Sequence, residues 1–284
     1  PISVLPVLAR VLEKLIARQL QTFCDENRVI PNKQFGFRKN SNCETALLST
    51  LDKWYAALDN GQVVGSLLLD LTKAFDSIPH TRLLFELQSI KCSTNAIQWF
   101  FSYLHGRQQR VISKSSVTPW KTVSRGVPQG SCLSPLLFNI FVRELPSCTS
   151  SDILQFADDV SASEHDQSVD VVKHKLSTTF GQLSEFFGSR GMKVNPSKTQ
   201  FIVFKVPTKR LPDPVTISLI GVDISASNSV KLLGVTLDRH LTFAEEVRTT
   251  VSRCHGLLGL LRRSCLSWPL LRLSEHISNT AVAC

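Results

Sequence analysis

No stretch of this chain approaches the roughly 18 uninterrupted apolar residues that a membrane-crossing helix needs, so a helical membrane anchor is not expected. Zinc-binding spacing is missing too. The eight cysteines (Cys24, Cys43, Cys92, Cys132, Cys148, Cys254, Cys265 and Cys284) are scattered, with no C-x-x-C pair and no Cys/His cluster. Free thiols in a reducing, intracellular setting, cytoplasm and nucleus, are therefore expected rather than a disulfide framework. There is one methionine, Met192, and the first residue is Pro1, which reads as a piece of a longer polypeptide whose targeting signal can lie elsewhere. No internal repeat or low-complexity tract occurs. Acidic residues are in deficit, 23 against 32 Lys plus Arg, a formal charge of +9 that fits a polyanionic partner without identifying it.

What is present is an ordinary globular composition, 43% hydrophobic and 19% charged, with 284 residues to build two closely associated subdomains. Pro6 to Phe23 places Leu8, Val11, Leu12, Leu15, Ile16, Leu20 and Phe23 at helical spacing, with Pro6 suited to the first turn. A polar, basic connector, Asn32 to Asn42, precedes a second helix over Glu44 to Leu58 with Ala46, Leu47, Leu51, Trp54 and Leu58 inward. Asn60-Gly61 ends it, and Val63 to Leu69 reads as a buried strand. Helices are predicted over Thr81 to Ile90 and Asn95 to Leu104, a hairpin over Gln108 to Lys121, and an apolar helix over Leu133 to Leu145. Further on come a helix over Gln167 to Phe187, a strand over Thr199 to Val206, and short strands up to Leu237. Thr242 to Glu245 reads as a capping box opening a basic helix to about Arg263, and Trp268 to Ala283 as a last helix. The pattern predicts an α+β fold with a small antiparallel sheet, not a regular parallel βαβ array.

The most informative stretch is Phe156-Ala157-Asp158-Asp159, where two carboxylates interrupt an apolar run. Ile153 to Ala157 reads as a strand and Val160 to Ala162 as its return, leaving the Asp pair at a hairpin tip. Adjacent like charges repel unless a cation lies between them, and hard oxygen ligands suit Mg²⁺. Asp70 closes the other buried strand, so three acids at two strand ends suggest a two-metal phosphoryl-transfer centre. Taken alone, an Asp-Asp pair is also an ordinary turn.

Other motifs stand in order along the same chain. Asp70-Leu71-Thr72-Lys73-Ala74-Phe75-Asp76-Ser77-Ile78-Pro79-His80 resembles the first catalytic block of reverse transcriptases from non-LTR (LINE-type, jockey/CR1-like) retrotransposons. Gly126-Val127-Pro128-Gln129-Gly130-Ser131 with Ser134 to Asn139 resembles the next block, and Phe156 to Asp159 the paired-acid block. Asn195 to Thr199 resembles the lysine-bearing block and Leu233-Gly234-Val235 the primer grip. Pro1 to Pro6 and Gln34-Phe35-Gly36-Phe37-Arg38 resemble finger-side elements.

The resemblance implies a right-hand polymerase: residues 1–62 partial fingers, 63–90 palm with the first acid, 91–125 a fingers/palm insertion, 126–238 palm and 239–284 the start of a thumb. It implies RNA-directed DNA synthesis with two Mg²⁺ per site (Mn²⁺ the alternative ion), an RNA template, a DNA primer and deoxynucleoside triphosphates. Asp70, Asp158 and Asp159 with the Leu71 carbonyl are the implied metal ligands, and Lys198 the implied proton donor or charge for pyrophosphate; a solvated surface lysine is its alternative. Phe75 is the implied sugar gate, with core packing as the alternative, and Gln129 and Gly130 belong with the nucleotide or template base. Glycines and Pro128 in that loop are read as allowing close approach to a ligand. Arg38 is assigned to triphosphate or template backbone, and His80 to anchoring the turn after the first block. Leu233 and Gly234, with Arg248, Arg253, Arg262 and Arg263, are assigned to nucleic acid, although a basic run is also an ordinary solvated face. The rest of a parent polyprotein, including an endonuclease upstream, is an expected partner; the oligomeric state is open. The competing reading is a catalytically silent fragment that only binds nucleic acid or a partner.

Overall fold

The computed structural model describes residues 6–113, 116–212 and 214–264. The chain opens with helices α1 (Val7–Glu26) and α2 (Cys43–Asp59), then strand β1 (Val63–Leu69) and helices α3 (Ala74–Ser77), α4 (His80–Ser89) and α5 (Thr94–Leu104). A ribbon follows: β2 (Gln108–Gln109) pairs with β5 (Lys121–Thr122), and β3 (Ile112–Ser113) with β4 (Ser116–Val117). Helix α6 (Ser134–Phe141) leads to the hairpin β6 (Asp152–Phe156) and β7 (Asp159–Asp166), helix α7 (Val169–Ser189) and strand β8 (Gln200–Phe204). Two small hairpins, β9 (Thr216–Leu219) with β10 (Val222–Ser225) and β11 (Ser229–Leu232) with β12 (Val235–Asp238), precede helix α8 (Ala244–Ser264).

The central sheet has the order β6-β7-β1-β8 with every neighbouring pair antiparallel. β1 lies inside it and, apart from the buried Ser66, reads as an apolar run because both of its faces are covered. Val63, Leu67 and Leu69 enter the core shared with α4, α5, α6 and α7, whereas Val64 enters a second core with α2, β11 and β12. On the α7 side a Cβ at Gly65 would stand 2.5 Å from Val172 Cγ1 and 2.8 Å from Leu176 Cδ1, so the glycine is what lets helix and strand approach. On the other side, all five residues expected to face inward on α2 are buried. Trp54 packs its ring 4.6 Å from that of Phe204, a pairing worth about 1 kcal/mol beyond area burial.

Several elements differ from the sequence expectation. α6 ends at Phe141 instead of reaching Leu145, because Pro146 disfavours helix at the residue before it and the chain turns into a 3₁₀ segment, Leu145–Ser147. β7 extends to Asp166, well past Ala162, since Val160 to Asp166 pairs with β1 from Leu69↔Val160 to Val63↔Asp166. On α1, the apolar residues Val7, Leu8, Val11, Leu12 and Leu15 are exposed while Glu13 is buried. The capping box is found on α2, where the Asn42 side chain accepts from Thr45 N–H and Thr45 Oγ1 from Asn42 N–H. At Thr242 it cannot form, because Phe243 takes a positive φ of 57° just before the helix. Instead the Asp238 carboxylate accepts from the N–H groups of Thr242 and Phe243, and Glu246 Oε2 takes the Thr236 N–H at 2.8 Å. The expected helix over Trp268 to Ala283 and the Pro1 to Leu5 element lie outside the described residues. Among the described residues no helix is long and apolar enough to cross a membrane, and the six described cysteines are free.

Gly65→Ala tests the tight α7 contact. Overpacking against Val172 and Leu176 should lower unfolding free energy by about 1–3 kcal/mol in urea titration; an unchanged midpoint would show that the helix can retreat at no cost.

Candidate active site

The register of β1 on β7 decides where the acids go. Leu69 is opposite Val160, so the chain leaves β1 at Asp70 one step beyond that pair, alongside Asp159. β6 and β7 are joined by a two-residue turn, with Phe156 paired to Asp159 and Ala157-Asp158 between them. Ala157 holds a positive φ of 58° and is buried, a conformation that costs a non-glycine residue about 1 kcal/mol and persists where its surroundings enforce it.

Asp70 is fixed from its other side. Its carbonyl accepts the Asn195 N–H at 3.1 Å, and Thr72 N–H donates to the Lys193 carbonyl at 3.1 Å, which keeps Leu71 bridged to Val194. The same strip leads into the short turn Pro196–Lys198, capped by Asn195 Oδ1 on Ser197 N–H. Lys198 thus arrives with its Nζ 3.8 Å from Asp70 Oδ2, an exposed ion pair. Opposite, the β11–β12 turn is Leu233-Gly234, both with positive φ (49° and 91°), the pattern of a type I′ hairpin.

These pieces enclose a cleft of about 380 Å³ lined by Asp70, Leu71, Asp158, Asp159, Lys198, Leu233 and Gly234, with Lys231 beside them. Partial burial first, then the charges of Asp158 and Asp70, push the Asp159 carboxyl above its ordinary range, although the side chain still reaches solvent. The donor set is hard, anionic oxygen converging on one cleft, which fits Mg²⁺ or Mn²⁺. Among the described residues no three His, Cys, Asp or Glu side chains stand gathered closely enough to form a ready-made metal site.

The other sequence candidates fall outside this lining. Phe75 is half-buried and stacked on the buried Phe138 at 4.6 Å. Gln129 is half-buried and Gly130 exposed in the loop before α6. Arg38 turns its guanidinium back onto its own connector, donating to the Pro31 carbonyl at 2.8 Å and the Gln34 carbonyl at 3.3 Å. Arg248 and Arg253 are exposed on α8, and Arg262 and Arg263 fall in its last turn. Gly126 needs correction: a Cβ there would meet the Asp76 backbone at 2.8 Å, so the glycine admits the protein's own chain. Gly126 N–H donates to the Ile78 carbonyl, Val127 N–H to the Phe75 carbonyl, and His80 Nε2 lies 2.9 Å from the Gly126 carbonyl. His80 therefore welds the first acidic block to the Gln129 loop, as an anchor of that turn should.

Two groups went unread in the sequence. Lys231 is exposed within the cleft, and the available signal was a lone cation in an apolar strand two residues before the Leu233-Gly234 turn. Glu13, on α1, accepts from Tyr103 Oη at 2.8 Å and Ser131 Oγ at 2.7 Å, steadying the end of the Gln129 loop. Helical periodicity gives no sign of that, since Glu13 is one of several charged residues on α1 and lies off the apolar positions that the spacing marks as inward.

Because the fold disfavours ionised Asp159, the penalty is absent below the ordinary carboxylate pKa and grows as pH rises through the raised folded value. Asp159→Asn should therefore raise the thermal midpoint in EDTA near neutral pH, and that gain should vanish below about pH 4. A gain that stays constant over this range would contradict the assignment.

Comparison with known proteins identifies the family. Residues 1–237 match the family described as reverse transcriptase (RNA-dependent DNA polymerase). The chain is similar to the probable RNA-directed DNA polymerase from transposon X-element of Drosophila melanogaster, 32% identical over 94% of this chain and 30% of that protein. It is also similar to the RNA-directed DNA polymerase from mobile element jockey of Drosophila funebris, 29% identical over 91% of this chain and 30% of that one. Among solved structures, apo telomerase from Candida tropicalis shares the fold, with a TM-score of 0.53 and 16% identity over 82% of this chain and 40% of that chain. The chain spans about 30% of the length of these curated relatives. A match to the family over residues 1–237 shows that the chain belongs to the reverse transcriptase family.

Proposed function

We propose that this chain is the RNA-directed DNA polymerase domain of a non-LTR retrotransposon, adding deoxynucleotides to a primer 3′-hydroxyl on an RNA template. The observation that carries the reading is the meeting of Asp70, Asp158 and Asp159 at one cleft through the β1–β7 register. Two bound Mg²⁺ ions would lower the pKa of the attacking hydroxyl and neutralise the triphosphate and leaving pyrophosphate. In this reading Asp70, Asp158, Asp159 and the Leu71 carbonyl would hold the two ions. Lys198, already beside Asp70, is placed to donate a proton or charge to pyrophosphate. The protein's work is positioning and charge neutralisation rather than covalent catalysis.

Phe75 acts as the gate against a 2′-hydroxyl: its ring is backed by Phe138, which would stop it yielding to a bulkier sugar. Gln129 and Gly130 meet the nucleotide or template base, and Arg38 buttresses the connector and reaches the substrate only if its carbonyl bonds open. The Leu233-Gly234 turn holds the primer end. Arg248, Arg253, Arg262 and Arg263 on α8 follow the phosphate backbone of an A-like hybrid by shape and charge. In this reading residues 63–90 and 126–238 form the palm, 1–62 the fingers side with 91–125 inserted, and 239–284 begin the thumb. The template, the primer and the other segments of a longer polyprotein are its partners.

Primer extension on an RNA template, by this chain and by a version carrying its flanking sequence, decides between polymerase and silent fragment. Mg²⁺-dependent deoxynucleotide incorporation is expected, falling by at least about 10³-fold in Asp70→Asn and Asp158→Asn. No incorporation by either form would leave only nucleic-acid binding. In the same assay Phe75→Ala should admit ribonucleotides; unchanged sugar discrimination would remove the gate.

A further inference from the structure

The connector carrying Gln34 and Gly36 has no place in the cleft lining, yet it grips the back of the turn that presents Asp158. It runs parallel to β6, with Phe35 N–H donating to the Gln155 carbonyl at 2.8 Å and Gln155 N–H to the Lys33 carbonyl at 3.0 Å. Gln34 Oε1 accepts two backbone N–H groups at once, from Gly36 at 2.9 Å and from Ala157 at 3.2 Å. Gly36 lies so close that a Cβ on it would stand 2.3 Å from Ala157 N and 2.9 Å from the Phe156 carbonyl carbon. Its φ is not in the left-handed region, so the glycine is needed for space alone. From the opposite side Asn139 Nδ2, on α6, donates to the Gly36 carbonyl at 2.8 Å.

We infer that Gln34, Gly36 and Asn139 form a strap of positioning residues that holds the Ala157-Asp158 turn in its left-handed conformation and so sets where the Asp158 carboxylate meets Asp70. The composition of the strap favours this role over plain packing. Gln34, Asn139 and Gln155 are each at most 1% exposed, yet Gln34 Nε2, Asn139 Oδ1 and both ends of the Gln155 amide have no hydrogen-bond partner in the described structure. Burying half-satisfied amides costs stability, and the amide ends that are used, Gln34 Oε1 and Asn139 Nδ2, are both spent on backbone groups of the strap and the turn. Ala157 at positive φ needs such an outside hold, because nothing in alanine prefers that conformation. Through the turn, the strap acts on metal affinity as hydrogen-bond partners of ligating carboxylates do. The catalytic consequence rests on the polymerase reading, whereas the hold on the turn does not.

Three variants, Gly36→Ala, Gln34→Met and Asn139→Ser, test the strap against Gly181→Ala, a control on α7 where an added Cβ meets nothing within 4 Å. Mn²⁺ binding followed by electron paramagnetic resonance, without nucleotide, should weaken by about 10- to 100-fold in Gly36→Ala and less in the other two. Amide exchange at Ala157 should accelerate in Gln34→Met while exchange in β1 stays as in the parent. In primer extension kcat should fall with deoxynucleotide KM unchanged, and Gly181→Ala should behave as the parent throughout. Parent-like Mn²⁺ affinity and Ala157 exchange in folded Gly36→Ala and Gln34→Met would overturn the strap. So would a loss of activity that tracks general unfolding, with β1 exchange and KM rising together. A parent chain that binds no Mn²⁺ would instead count against the polymerase reading, and Ala157 exchange in Gln34→Met would still decide whether the strap holds the turn.

Discussion

The antiparallel ladder between β1 and β7 is the constraint from which the site follows. Seven consecutive pairs, from Val63↔Asp166 to Leu69↔Val160, leave no freedom in where the two strand ends meet. Strand side chains alternate between faces, so a slip of one residue would exchange the Val64 and Leu67 faces of β1 and bury Asp70's neighbours wrongly. Two cores, one against α4 to α7 and one against α2 and the β11–β12 hairpin, penalise such a slip from both sides. The hydrophobic effect thus fixes the relative position of carboxylates that would otherwise drive each other apart.

Three further segments around the cleft are tied to that ladder by hydrogen bonds to backbone groups. The Lys193 to Asn195 strip pins the exit from β1 and delivers Lys198; the Gln34 connector pins the β6–β7 turn; His80 and Gly126 lock the first acidic block to the Gln129 loop. The Lys193 to Asn195 strip and the Phe35–Gln155 pairing hold through main-chain bonds that depend little on rotamers, and Gln34 Oε1 and His80 Nε2 add side-chain holds. Lys198 and Lys231 are exposed side chains that extend from this frame into the cleft. The strain stored at Ala157 and Leu233, both non-glycine residues at positive φ, sits at the two turns that border the cleft.

Much of this was legible in the chain itself. A buried apolar run ending in Asp70 and an apolar run broken by Asp158-Asp159 located both strands and the acids, and the order of the other motifs along the chain set these acids apart from ordinary turn residues. The inward face of α2 followed from 3.6-residue periodicity. What periodicity could not supply were facts that depend on a neighbour distant in sequence. The full length of β7 was hidden by its polar alternation and is set by its partner β1. Burial of Glu13 depends on hydroxyls from α5 and the loop before α6, and Gly126 answers to Asp76 rather than to a ligand. The role of Gly36 was equally invisible, since a glycine in a polar connector is indistinguishable from an ordinary loop residue until the Ala157 backbone is seen beside it.

The central claim concerns three carboxylates acting as one divalent-cation site, and locating the ions tests it most directly. Crystals grown with Mn²⁺ and a deoxynucleoside triphosphate, measured near the manganese absorption edge, would show where metal binds by anomalous scattering. The account predicts density between the carboxylates of Asp70 and Asp158, with a second peak reached by Asp159. Manganese bound elsewhere, with Asp70 turned away from Asp158, would contradict it.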